Sequence, residues 1–340
     1  MNPDAVPRRT SSQPTAGLPV GGLVFEPRRA VGEPLTLPLI GSSYPQVFRT
    51  PRTRWWHGVI AWVLVAVFAL VAMIALVVVY SLVLYLTGGE DALAASAELD
   101  MSDPFTVFII NLTLVALIPL ALGAIAIAYP VKVRFLHSVE GRVRWGWLVR
   151  CLVTLTPLWL LYLGVGAVLD GGVEVNLPDE WPALLAMAVL MTPLQAAGEE
   201  YLFRGFVLVT VGSWFRNPIV GLVASCVVPG ALFGAAHGSP DPWILLDLVG
   251  MAVACVYLSW RTGGLEAAIA IHVVNNVFAI SLGILTGTVN EGYIDETTTG
   301  SMDAALISLL VSFLAAALLL WQARRAGITR TVPPAVGAVP

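Results

Sequence analysis

Charge is scarce in this sequence. Asp, Glu, Lys and Arg make up 12% of its 340 residues, against about 25% in a soluble globular chain. With 57% hydrophobic residues and a mean hydropathy of +0.82, that shortage excludes a water-soluble protein. Cysteine is scarcer still. Cys151, Cys226 and Cys255 each lie inside an apolar run, which leaves no disulfide framework and no C-x-x-C metal site, so they read as small apolar fillers. An H-E-x-x-H helix, the strongest sequence signal for a catalytic zinc, is also missing. So are an internal repeat and any low-complexity stretch within the apolar region. No nucleic-acid partner is expected.

Long apolar runs are abundant. Eight of them, at about 55–86, 105–129, 146–169, 181–211, 218–237, 242–260, 264–287 and 302–322, have the length of membrane-crossing helices. The fold expected is therefore all-α and polytopic, with eight transmembrane helices and membrane lipid as its surroundings. Tyr129-Pro130, Asn217-Pro218 and Ser239-Pro240-Asp241-Pro242 fall between runs, where a backbone break costs little. Residues 1–54, rich in Pro, Gly, Ser, Thr and Arg without periodicity, read as a disordered cytoplasmic tail. Residues 55–323 form the membrane domain and 324–340 a second tail. The first run is too long for the core of a signal peptide and lacks an A-x-A-like cleavage site, so it reads as a retained anchor.

The charges test this count. If the N-terminus is cytoplasmic, all 18 Lys and Arg residues fall on cytoplasmic segments or at their membrane edge, as the positive-inside rule requires. Arg8 through Arg54, Lys132 to Arg150, Arg204, Arg216, Arg261 and Arg324 to Arg330 share one side. The other side collects acids: Glu90 to Asp103 including Glu98, Asp170 to Glu180, and Glu291 to Asp303 including Asp295. Both termini are thus placed in the cytoplasm and the protein in the plasma membrane. Trp55, Trp56, Trp147, Trp181, Trp243 and Trp321 lie near span ends, as interfacial aromatics do.

Ionisable residues within such spans are expensive and need a partner or a cavity. Gln195-Ala-Ala-Gly-Glu199-Glu200-Tyr201-Leu-Phe-Arg204-Gly205 sets three on one helix. Glu200 and Arg204, four apart with the acid first, can pair on one face. Glu199 points about 100° away, free for chemistry. Phe233-Gly-Ala-Ala-His237 ends the fifth span, and His272-Val-Val-Asn275-Asn276 lies in the seventh, where His272 and Asn276 share a face. A carboxylate and a histidine converging on water make a general base, and a second His with an Asn can stabilise an oxyanion. That is a hydrolase for amide bonds. The same atoms offer an alternative, a divalent ion such as zinc on Glu199, His237 and His272 with an open position for water, and the spacing does not choose. His57 and His137 read as interfacial, without a catalytic role. Asp247 and Glu266, near span ends, read as snorkelling or cavity-lining groups.

E-E-x-x-x-R, then F-x-x-x-H, then H-x-x-x-N on successive spans resembles the CPBP intramembrane protease family, which includes CAAX prenyl endopeptidases and bacteriocin-immunity Abi proteins. The resemblance covers about 181–285, and Tyr201-Leu-Phe203-Arg204-Gly205 and Tyr257-Leu-Ser-Trp-Arg261-Thr-Gly263 also resemble it. It implies an intramembrane endopeptidase acting on a peptide or lipid-tethered protein. In it Glu199 and His237 would activate water, Glu200 and Arg204 would brace the site, and His272 and Asn276 would form the oxyanion hole. Both metal-dependent and metal-independent mechanisms have been described for the family. Two other readings use the same residues: a non-catalytic scaffold or immunity factor, and a proton-coupled transporter, for which repeated halves would be expected. One geometric difficulty accompanies the protease reading. Glu199 near the inner end of the fourth span and His237 towards the outer end of the fifth could share a water only if the fourth span started later than Trp181, or if the fifth started outside the bilayer or broke at Pro229-Gly230.

Overall fold

The computed structural model describes residues 36–95, 100–169, 171–292, 294 and 296–334. The expected tail over 1–35, the acids Glu98, Asp170 and Asp295, and the end of the chain from 335 lie outside those residues. Among the described residues are eight helices long and apolar enough to cross a membrane: Trp55–Asp91 (α1), Pro104–Ala128 (α2), Trp145–Leu169 (α3), Trp181–Trp214 (α4), Ile219–Ala236 (α5), Pro242–Thr262 (α6), Glu266–Thr286 (α7) and Met302–Arg325 (α8). The chain is a multi-pass, all-α membrane protein. In lipid each span must satisfy its own backbone, which leaves helices as the solution for apolar runs of this length.

The polar punctuation between runs sets the ends. Asp103, Asn217 and Asp241 each accept hydrogen bonds from two backbone N–H groups of the following first turn. Each precedes a proline, whose fixed φ suits the first helical position. α6 and α7 end on Gly263 and Gly287 at φ of 69° and 72°, the left-handed conformation that lets a chain leave a helix. α4 is the exception to regularity. Pro193 lacks the N–H that would continue the ladder, and the helix is broken at Met191. It then widens into a π-helical turn over Tyr201–Val207.

Three features differ from the sequence expectation. Residues 36–54 are not a disordered tail. Tyr44, Val47 and Phe48 are fully buried, and the Tyr44 hydroxyl donates to the Leu136 carbonyl at 2.5 Å. Ser43 bridges antiparallel to Thr331, so the segments flanking the membrane domain are stitched together at one end of the bundle. Their apolar side chains have helix ends to bury against, which composition could not reveal. Trp147 is not an interfacial anchor but a core residue, 4% exposed, while its neighbour Trp145 faces outward. The α3 helix turns the second indole inward against Cys151 and Leu155. Glu266 is neither snorkelling nor lining a cavity. It is buried in an ion pair with Arg144 at 2.6 Å, and the same guanidinium donates to the Thr262 and Thr329 carbonyls. One salt bridge thus joins the start of α3, the α6–α7 turn and the segment after α8.

α4 is central, and small residues let it be. Its Gly198 lies so close to α2 that a β-carbon there would stand 2.0 Å from the Leu114 carbonyl oxygen. Backbone cannot yield as a side chain can, so Gly198→Ala must push the helices apart. A loss of about 1–3 kcal/mol is expected from overpacking of this kind. Gly146→Ala, with nothing within 4 Å of the new carbon, should be neutral in the same unfolding titration in mixed micelles.

Candidate active site

The two adjacent glutamates of α4 have different surroundings. Glu200 has no exposed surface. Its Oε1 accepts from Arg204 Nη1 at 2.7 Å and from His272 Nδ1 at 2.8 Å. Arg204 is also fully buried and stacks its guanidinium over the Phe233 ring, 4.5 Å from the centroid. Both features belong to a charge that cannot reach water and must be met by an anion and a π-face. Glu199 takes another direction. Its Oε1 accepts a short hydrogen bond from the Gln195 amide one turn back, and its Oε2 lies 3.6 Å from His272 Nε2. Glu199 is 7% exposed, and Oε2 has no hydrogen-bond partner among the described residues. Each carboxylate keeps a buried Oε2 without a hydrogen-bond partner among the described residues, but Glu200 has no exposed surface and is met by a guanidinium, whereas Glu199 is 7% exposed and is met by none.

The histidines are oriented by groups that can only accept. Because a carboxylate accepts, His272 Nδ1 carries a proton towards Glu200, which turns Nε2 to Glu199. His237 caps the end of α5 and donates its Nδ1–H to the Phe233 carbonyl at 2.8 Å, so its Nε2 is left for a substrate or water. The Phe233 ring packs against both imidazoles, 4.8 Å from the His237 centroid and 5.9 Å from that of His272. Asn276 donates to Gln195 Oε1 at 3.4 Å, and its own oxygen accepts from Asn275 at 3.3 Å. α4, α5 and α7 thus bring Glu199, Glu200, Arg204, His237, His272 and Asn276 into one continuous neighbourhood.

The length of α4 bears on the depth of the two residues. Its 34 residues extend about 50 Å at 1.5 Å each, well beyond a hydrocarbon core of about 30 Å. Glu199 precedes the turn at Phe215–Asn217 by roughly 22 Å of helix, and His237 follows it by roughly 28 Å. Two antiparallel neighbours therefore reach similar heights. Neither a late start of α4 nor a break of α5 is used, since α5 runs as a helix through Pro229.

Among the described residues no group of three His, Cys, Asp or Glu side chains is placed to hold a metal ion.

Gln195, which the sequence places one turn before Glu199 and so on the lining of the same cavity, links Glu199 to Asn276. His137, read as interfacial, bonds through Nδ1 to the Tyr201 hydroxyl at 2.5 Å, next in sequence to Glu200. Burial holds His137 below the usual histidine range, against the opposing pull of Glu266. Asp247 accepts from the Ser308 hydroxyl at 2.6 Å, away from the cluster.

Removing Arg204 alone would leave Glu200 a buried anion facing only an imidazole. Arg204→Leu is expected to cost about 3–5 kcal/mol. The double variant Glu200→Gln/Arg204→Leu, which removes both charges, should recover much of that in the same denaturant titration.

The family model described as type II CAAX prenyl endopeptidase Rce1-like matches residues 181–278. A Bacillus subtilis (strain 168) protein described as "Uncharacterized protein YyaK" is 27% identical over 151 residues, 42% of this chain and 49% of its own. The chain thus spans about half the length of that relative. No solved structure matches. Every member of the polar cluster falls inside the matched segment, and residues 181–278 of this membrane protein are similar to the Rce1-like family.

Proposed function

We propose that the protein is an intramembrane endopeptidase that hydrolyses a peptide bond in a membrane-associated substrate. The observation that carries this reading is the unequal treatment of two neighbouring carboxylates. Glu200 is fully buried and pairs through Oε1 with Arg204 and His272, whereas Glu199 is met by no guanidinium and keeps a little exposed surface, with its Oε2, like that of Glu200, unpartnered among the described residues. A base with a free lone pair, shielded from bulk water, is what activation of a single water molecule requires.

In the mechanism that follows, Glu199 removes a proton from water as its oxygen adds to the scissile carbonyl carbon. The carbonyl oxygen becomes an oxyanion. It is met by the Asn276 amide and by His272, whose ring Glu200 orients through Nδ1. Collapse of the tetrahedral intermediate breaks the C–N bond, and the amine leaves with the proton that Glu199 gained. His237 Nε2, with its other nitrogen tied to the Phe233 carbonyl, holds the water at the cluster's edge. Glu200 and Arg204 touch no reacting atom and fix the orientation of His272.

The distribution of basic residues supports cytoplasmic termini. The domain match supports a substrate such as a prenylated C-terminal CAAX peptide.

Glu199→Gln keeps the shape and the Gln195 contact but cannot take a proton. It should fold normally and lose at least about a hundredfold in cleavage rate, measured in liposomes with prenylated and unprenylated peptides. Full activity of Glu199→Gln would remove the mechanism. A scaffold would tolerate that variant while failing as Glu199→Ala. Inhibition of the wild type by a chelator, reversed by zinc, would assign the chemistry to a metal.

A further inference from the structure

A second polar site lies at the end of the bundle where α1 begins and α4 ends. The segment before α1 crosses the last turn of α4. Arg49 donates from Nη1 to the Ser213 carbonyl at 3.1 Å, Gln46 donates to the Phe215 carbonyl at 3.0 Å, and the Trp214 indole donates to the Trp55 carbonyl at 3.1 Å. Between these contacts is a cleft of about 80 Å³ lined by Arg49, Thr50, Thr53, Arg54 and Ser213.

Three observations say what the cleft is built for. Arg49 and Arg54 line it, Arg52 and Arg216 are close by in the chain, and no carboxylate pairs with any of the four among the described residues. Partial burial, and then the positive charge of Arg216, push Arg49 below its ordinary range, as expected of cations gathered without an anion. Ser213 is 4% exposed, yet its hydroxyl has no hydrogen-bond partner among the described residues, although it lines the cleft. A buried hydroxyl donor and two guanidinium groups match the oxygens of a phosphate. The flanking aromatics choose its source. Trp55 is 68% exposed and Trp214 40%, as rings at the bilayer interface are, and beyond them the outward Val59, Ile60 and Val63 of α1 offer an apolar wall.

We propose that this cleft binds the phosphodiester group of an anionic phospholipid, with Arg49, Arg54 and Ser213 on the phosphate and the acyl chains along α1. A lipid held there bridges the segment before α1 to the end of α4, the helix that carries Glu199 fifteen residues earlier. It would act as a clamp on the site helix from outside the site.

The test uses the full chain in micelles containing equal phosphatidylglycerol and phosphatidylcholine, with retained lipid counted by native mass spectrometry. Wild type should retain phosphatidylglycerol in preference. Arg49→Gln/Arg54→Gln should lose on the order of tenfold in that retention, given a contribution of about 1 kcal/mol per basic residue near an anionic surface. Arg324→Gln/Arg325→Gln, which removes equal charge elsewhere at the same end of the bundle, should leave it unchanged. Should the first variant fail to fold, Arg54→Gln/Ser213→Ala keeps the Arg49 contacts to α4 and should still lose retention. Equal loss in both arginine pairs, or none in either, would overturn the site. Displacement by millimolar inorganic phosphate would overturn the lipid as its ligand.

Discussion

Arg204 is a guanidinium with no exposed surface in a helix that crosses a membrane, and much of the domain is arranged around that fact. Left alone such a charge would be prohibitive. Glu200 answers it from one turn back, Phe233 supplies a π-face from α5, and His272 on α7 shares the same carboxylate oxygen. Three spans are thereby locked in register by one charge. The neighbouring residue inherits the benefit, because Glu199 is carried into the same dry interior without a cation of its own.

The π-helical turn belongs to the same logic. It runs from Tyr201 to Val207, directly after the two glutamates, and such turns are rare and concentrate at functional positions. By adding a residue to the turn it lets Arg204 reach back to Glu200 while Tyr201 reaches out to His137. The site helix is therefore tied to the α2–α3 joint as well as to α5 and α7. At the far end of the helix, Gly212 meets the Pro45 carbonyl so closely that a β-carbon would stand 2.2 Å from it. α4 is gripped along its length, which suits an element that must hold a carboxylate in one orientation.

The buried pair of Arg144 and Glu266 does at the bundle end what Arg204 and Glu200 do in its interior. It satisfies two charges and two carbonyls at once. Such pairs give little net stability but penalise wrong arrangements heavily, since each partner alone would be an uncompensated charge. The two pairs fix how the ends and the centre of the same helices line up.

Hydrophobic run length and the side on which Lys and Arg accumulate were enough to read eight spans from the sequence, because lipid allows one backbone solution for such runs. Helical phase was enough to separate Glu199 from Glu200, because residues one apart on a helix cannot face the same way. Tertiary structure decided what periodicity cannot carry. Gln195 and Asn276 meet across two helices, His137 reaches Tyr201 over 64 residues, and the height of His237 relative to Glu199 depended on how α5 packs back along α4. Residues 36–54 looked like a tail because their composition lacks a period, yet they fold where helix ends offer surface to bury against. Local spacing determines which groups share a face of one helix; which faces meet depends on packing between helices distant in sequence.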